Sequence, residues 1–230
     1  QQTRVRVFES GLAFARVDGR ITQVPKLAGL VYGEVTPEQW GLDTRKVDFF
    51  DLKADLESML CQVADATEFA FEAGDHPALH PGQSARVSRN GQPIGWAGSL
   101  HPAAQKALDV PKGVFLFELE LEPLRLGEIP TFEPLSRYPA IRRDFALLVD
   151  RDLPYQAVLD CVRDAAPAVV KDIQLFDVYT GENVDSGLKS LALSLILQDS
   201  SHTLTESEVE EASALVLAAL AERLSAKLRD

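Results

Sequence analysis

The chain of 230 residues is poor in the side chains that usually carry chemistry: two cysteines, one methionine, two tryptophans and four histidines. Cys61 and Cys161 stand far apart, without the spacing of a metal knuckle or a redox pair, and read as buried thiols of a reducing cytosol. No apolar run approaches the ~20 residues of a membrane span. No charged-then-apolar leader opens the chain. It begins at Gln1 inside what reads as a strand, so a piece of a longer polypeptide is expected. Positive charge is scarce as well, with 23 Lys+Arg against 35 Asp+Glu and a formal net charge of −12. That excludes the broad basic footprint of a dedicated nucleic-acid binder. It does not exclude a local one, because exposed charges are screened over roughly 8 Å at physiological salt.

What is present is apolar pattern, 46% of the chain, enough for one or two domains with proper cores. Residues 1 to about 128 alternate strand-like runs with turn signals. Arg4 to Phe8 and Leu12 to Val17 read as a pair broken at Ser10-Gly11, and Lys26 to Val35 as a longer strand whose two glycines point to a bulge or a close neighbour. From Val47 to Val63 the period changes. Phe49, Leu52, Leu56, Met59, Leu60 and Val63 fall on one helical face, leaving Asp48, Asp51, Asp55 and Glu57 as solvated acids. Strands follow near 67–73, 85–88, 94–100 and 114–121, separated by the HPALHPGQ loop, by Asn90-Gly91, a strong two-residue hairpin signal, and by a short helical turn opened by His101-Pro102. The layout is an antiparallel sheet backed by helix, an α+β class.

Nothing in this half assembles a catalytic constellation. His76 and His80 are four residues apart, but Pro77 and Pro81 bar the regular helix that would align them. With His101 they are expected to cap turns or pack. Glycine-rich phosphate loops are absent. Glu118, Glu120 and Glu122 alternate along one strand and read as a solvated face.

Three prolines and a glycine between Arg125 and Pro139 mark a stiff connector. The expected division is 1–128, a linker at 129–135, and 136–230. Beyond the linker the order is strand (144–149), helix (155–165), strand (169–179), strand (187–198), helix (205–224) and a short strand near 226–229. Thr205 to Glu208 has the form of a capping box. This is a ferredoxin-like split βαβ arrangement, a fold that by itself says little about function. Its residues say more. SRYPAIRRDFALLVD puts arginines at the start of one strand, and LFDVYTGENVDSGLKSLALSLIL puts aromatics at the end of another. Guanidinium groups and rings on one sheet suit single-stranded nucleic acid. The segment from Thr131 to Asp199 still holds 7 bases against 11 acids, so any binding should be weak and salt-sensitive.

YPAIRRDFALLVD, LFDVYTGENVDSGLKSLALSLIL and TLTESEVEEA with its alanine/leucine helix resemble the ferredoxin-fold anticodon-binding domain that ends the β subunit of bacterial phenylalanyl-tRNA synthetases. In the first half VRVFESGLAF, AGLVYGEVTPEQW, VDFFDLKADLESML, HPGQSA and GWAGSLHP resemble the catalytic-like module that precedes it in that family. The resemblance implies a cytoplasmic α2β2 enzyme whose α subunit joins phenylalanine to tRNA-Phe with ATP and Mg2+. It implies that this stretch of β, a class II synthetase fold without a working active site followed by the anticodon domain, binds and assembles without a cofactor or metal of its own, and with no membrane partner. Carried onto this sequence, it makes Tyr179 a stacking surface for an anticodon base. Arg137 and Arg142 become phosphate contacts, and Lys189 a possible one. Arg143 is open between phosphate contact and an ion pair with its neighbour Asp144. Phe176, three residues before Tyr179, is expected in the core, and Tyr138 is expected to anchor the connector. The rival readings are a protein-docking scaffold, with an exposed apolar patch on the first half, and a small-ligand module without RNA contact.

Overall fold

A hairpin of two 14-residue strands dominates the first half, β1 (Arg4–Val17) and β2 (Arg20–Gly33). They pair residue for residue from Arg4 and Gly33 to Val17 and Arg20. The turn is Asp18-Gly19, whose φ values of 49° and 78° are those a two-residue type I′ turn requires. The break expected at Ser10-Gly11 therefore does not exist; Gly11 pairs with Lys26 inside an unbroken ladder. The computed structural model describes residues 2–125, 127, 132 and 134–229, which form two compact units, Gln1–Pro130 and Thr131–Asp230. Most of the connector expected at 129–135 lies outside the described residues.

In the first unit the antiparallel sheet runs β1-β2-β6-β5-β4-β3, with β3 (Phe69–Ala73), β4 (Leu79–Arg89), β5 (Gln92–Leu100) and β6 (Phe115–Glu120). Strand β4 starts inside the run expected to be a loop; a register irregularity between Leu79 and Ser84 absorbs the Pro81-Gly82 step. Asn90-Gly91 turns β4 into β5 with φ of 49° and 76°, as its sequence predicts. Helix α1 (Phe49–Leu60) packs Leu52, Leu56 and Leu60 onto this sheet, each 1% exposed. Each contributes about 1.5–3 kcal/mol relative to exposure. The acids on its outer side are not merely solvated. Asp48 and Asp51 form a capping box, Asp51 also binds Arg45 through two 2.7 Å bonds, Asp55 pairs with Arg6, and Glu57 with Lys53. Likewise Glu118 pairs with Lys26. Helix α2 (Pro102–Leu108) is capped by His101, whose Nδ1 accepts from the Ala103 N–H at 3.1 Å.

The second unit contains β7 (Ile141–Asp150), α3 (Tyr155–Ala165), β8 (Val170–Tyr179), β9 (Leu188–Leu197), α4 (Glu206–Leu224) and β10 (Lys227–Leu228). Its antiparallel sheet has the order β10-β7-β9-β8, so the first and third strands lie centrally, the ferredoxin-like arrangement. Val158, Cys161 and Val162 of α3 and Val209, Ala212, Val216 and Leu220 of α4 bury against Leu147, Val149, Leu191, Leu193, Leu195 and Leu197. Both helices thus cover one face of the sheet. Burial pushes the Cys161 thiol up, an inert environment. Cys61, expected to be buried, is exposed at the end of α1.

Candidate nucleic-acid interface

Strand alternation decides what the second unit's other face carries. Because Leu147 and Val149 point to the helices, Arg142, Asp144, Ala146 and Leu148 point away. On β9 the same parity sends Ser190, Ala192, Ser194 and Ile196 to the open side. The central strand is therefore a floor of mostly small residues.

Two cation–π contacts cross this floor. The Arg142 guanidinium lies 5.3 Å from the centroid of the Phe176 ring, and that of Arg229 lies 5.1 Å from the Tyr179 ring. Arg142 is fixed by a 2.7 Å bond from its Nε to Asp144 Oδ1, and the same oxygen accepts from Ser194 Oγ at 2.7 Å. These partners, Arg142 first, hold the Asp144 carboxyl below the usual carboxylate range. Ser194 and Ser190 on this floor are buried, Ser194 under its bond to Asp144. Tyr179 is 38% exposed, its hydroxyl donates to the Glu182 carbonyl at 3.2 Å, and the edge of its ring rests on Gly181. A Cβ at Gly181 would meet the ring's Cζ at 2.5 Å.

The residues singled out in the sequence part company here. Arg142 and Tyr179 share the open face, but not one end of it. Arg142 is in the row of Ile196 and Tyr179 in that of Ser190, six residues along β9, or about 20 Å. Phe176 occupies the space between, and it is not in the core. A register shift between Leu175 and Asp177 makes it the extra residue of a β-bulge and leaves it 54% exposed on the open side. Arg143 points the opposite way and binds Glu206 in the first turn of α4. Its expected partner Asp144 belongs to Arg142. Lys189, in register with core-facing Val149, donates to the Leu153 carbonyl at 2.5 Å and braces the loop before α3. Arg137 is exposed in the bend before β7 and forms no ion pair among the described residues. That bend is tied to the end of β9, Ser136 Oγ donating to the Asp199 carbonyl at 2.7 Å and Gln198 Nε2 to the Tyr138 carbonyl at 2.6 Å. Tyr138, expected to anchor the connector, is half-buried and held through its backbone, its N–H donating to Ser136 Oγ at 3.2 Å.

Arg229 was not legible as a site residue. It follows a two-residue strand, and only the pairing of Lys227 with Leu148, continued by the Arg229 N–H to the Ala146 carbonyl at 2.8 Å, carries it onto the face. Lys227, in register with Leu148, shares that side.

In the first unit both faces of the sheet carry exposed apolar residues, Phe8, Phe14 and Ile21 lying by strand parity on the face where Arg6 meets α1. A groove of about 1040 Å³ runs between β1, β2, β6 and the end of α2, lined by Val7, Phe8, Leu108, Val110, Leu116 and Phe117. Phe8, Phe14 and Ile21 on the long hairpin are 80%, 66% and 67% exposed. The histidines act locally: the His76 ring packs at a tilt against Trp96, centroids 5.2 Å apart, and its Nδ1 accepts from the Ala78 N–H, while His101 caps α2. Among the described residues no group of three or more His, Cys, Asp or Glu is placed to hold a metal ion. Nor is any helix among the described residues long and apolar enough to cross a membrane.

Known proteins resemble both units in the order they occur here. Residues 1–121 match the family model of the phenylalanyl tRNA synthetase beta chain CLM domain, and residues 136–229 that of the ferredoxin-fold anticodon binding domain. Along its whole length the chain is 47% identical to the phenylalanine–tRNA ligase beta subunit of Nitrosococcus oceani, 48% to that of Pseudomonas savastanoi and 46% to that of Methylococcus capsulatus. It spans 29% of the length of each of these relatives. A six-stranded sheet with exposed apolar residues on both faces, followed by a ferredoxin-like unit with arginines and rings on its open side, thus coincides with two matched family models, and the chain belongs to the phenylalanyl tRNA synthetase beta chain family.

Proposed function

We propose that this chain is the RNA-holding and assembly portion of a phenylalanine–tRNA ligase, binding the unpaired anticodon of tRNA-Phe on the open face of its second unit. The observation that carries the reading is the pairing of rings and guanidinium groups over a floor of small side chains. Bases stack on aromatic faces, and arginine serves both as a stacking plane and as a phosphate donor. Tyr179 with Arg229 would take one base. Arg142, and Arg137 at the mouth of β7, would meet phosphate. Arg143 and Lys189 hold structural bonds on the helix side and are left out of the contact surface. The apolar groove and hairpin of the first unit suit docking against a protein of the same assembly, the α subunit of a cytoplasmic α2β2 enzyme. In that reading α carries out the ATP- and Mg2+-dependent aminoacylation, and this chain supplies neither catalytic group nor metal ligand.

Binding of tRNA-Phe transcript at low salt, with an anticodon-altered transcript as control, tests the reading. Tyr179→Ala should weaken binding by about 5- to 100-fold, the equivalent of one stacked base, and the altered anticodon should weaken it comparably. Affinity indifferent to both changes would leave only non-specific attraction and would sink the proposal in favour of a docking scaffold.

A further inference from the structure

We infer that Phe176, with Arg142 laid over it, is a second stacking platform that takes an unpaired RNA base next to the one at Tyr179; this rests on the nucleic-acid reading of the open face. Regular alternation would have put Phe176 opposite to Tyr179, among the helix-facing residues. The bulge re-aims it, and bulges are often found where a side chain is turned toward a ligand. The result is an aromatic residue 54% exposed on a surface whose outward neighbours Arg142, Asp144, Gln174 and Asp177 are polar, over a floor of Ala192, Ser194 and Ile196. A protein partner docking there would find one ring in a polar field, not an apolar patch. A nucleobase needs only the ring and a planar cation, and both are in place.

The cation is positioned rather than loose. Ser194 Oγ binds Asp144, Asp144 binds Arg142, and Arg142 covers the ring, a chain running from the floor of the sheet to its surface. Along β8, Phe176 and Tyr179 are three residues apart, roughly 10 Å. The floor between them is Ala192 and Ser190, so no large side chain of the central strand separates the two rings. The two ring–guanidinium pairs therefore make neighbouring seats along one strand, with Asp177 between them on the same side.

The test uses the whole chain, tRNA-Phe transcript as probe and a fully paired RNA duplex as control. Trp40 and Trp96 both lie in the first unit, so an indole introduced by Phe176→Trp reports on the open face by difference. Phe176→Leu, which keeps an apolar cover over the floor without a π surface, should weaken transcript binding about five-fold or more. Phe176→Trp should bind at least as well as the parent chain, with the added fluorescence quenched by transcript and not by duplex. If Phe176→Leu binds like the parent while Tyr179→Ala does not, the second platform is rejected and the proposed function stands. If Phe176→Leu weakens binding but the introduced indole is not quenched, the ring only supports the floor and the inference fails. If the parent chain binds no transcript at low salt, both readings fall together.

Discussion

Gly181 shows how closely a single residue can hold the site. Its missing Cβ is the space that the edge of the Tyr179 ring occupies, 2.5 Å from Cζ. Gly181→Ala must therefore move either the ring or the turn that follows β8. Moving the ring breaks its hydroxyl bond to the Glu182 carbonyl and its contact with Arg229. The expected outcome is a loss of transcript affinity approaching that of Tyr179→Ala, with the unit still folded, read by binding and circular dichroism side by side. An alanine variant that binds like the parent would show that the ring's present seat is not the one RNA uses. Tyr179 was legible in the sequence as an aromatic at a strand end, but the need for glycine beside it was not, because it arises from a side chain folding back over the backbone. Arg142 and Arg143 make the same point. Their adjacency was plain; which one faces the open side depends on the parity of Leu147 and Val149, and Arg143 finds its partner 63 residues away. Phe176 was misplaced because parity fails at a bulge, and nothing in LFDVY announces one.

Among the elements, α4 has a start that its own sequence announces and a cap that responds to pH. Thr205 and Glu208 close a capping box as their spacing predicts, Glu208 Oε2 accepting from the Thr205 N–H at 2.8 Å and from its hydroxyl at 2.7 Å. What the spacing does not reveal is His202, whose Nε2 lies 2.9 Å from Glu208 Oε1 and whose Nδ1 lies 3.3 Å from Asp199. The bonds from Thr205, then His202, bring the Glu208 carboxyl down to about 2 from its ordinary 4.5. The bonds from Ser201 bring Asp199 to about 2 from 3.8. Both carboxylates contribute stability that is present above their ordinary values and lost as pH falls toward 2. His202 is raised above 6.5, chiefly by Glu208, so its contribution is complete below 6.5 and is lost as pH rises through the higher folded value. The cap is therefore strongest between about pH 4.5 and 6.5. Glu208→Gln should flatten the alkaline limb of the second unit's thermal stability across pH and much of the acid one. His202→Gln should flatten the alkaline limb and only weaken the acid one, because the bonds from Thr205 to Glu208 and from Ser201 to Asp199 remain. Calorimetry from pH 3 to 9 reads both; an alkaline limb that survives His202→Gln would place the titrating group elsewhere. The long hairpin of β1 and β2 gives the contrasting lesson. The two strands expected at Arg4 to Phe8 and Leu12 to Val17 are one, and the strand expected from Lys26 begins at Arg20; the turn expected at Ser10-Gly11 is made instead by Asp18-Gly19. The unbroken ladder from Arg4 to Gly33 is what selects the second.

For the whole molecule the scarce quantity is positive charge, and this determines how the proposed RNA binding should respond to salt. The net charge of −12 opposes a polyanion at long range. On the open face Arg142, Arg229 and Lys227 are matched by Asp144, Asp172 and Asp177, so the surface attracts phosphate only locally. With those three cations and Arg137 able to displace counterions, a single strand should give a slope of log affinity against log salt of about −2 to −3. Arg142→Ala should reduce that slope by about 0.7, since one phosphate contact is lost. Tyr179→Ala should lower affinity at every salt concentration and leave the slope unchanged, since stacking releases no counterions. Titrations of transcript at several salt concentrations separate the two terms. A slope much steeper than −3 would mean that cations elsewhere in the chain carry the contact and that the ring-bearing face is not the main RNA surface. A slope near the expected value, moved by Arg142→Ala and not by Tyr179→Ala, assigns charge and stacking to different residues of one sheet. An acidic chain can then hold RNA because stacking supplies what its electrostatics withhold.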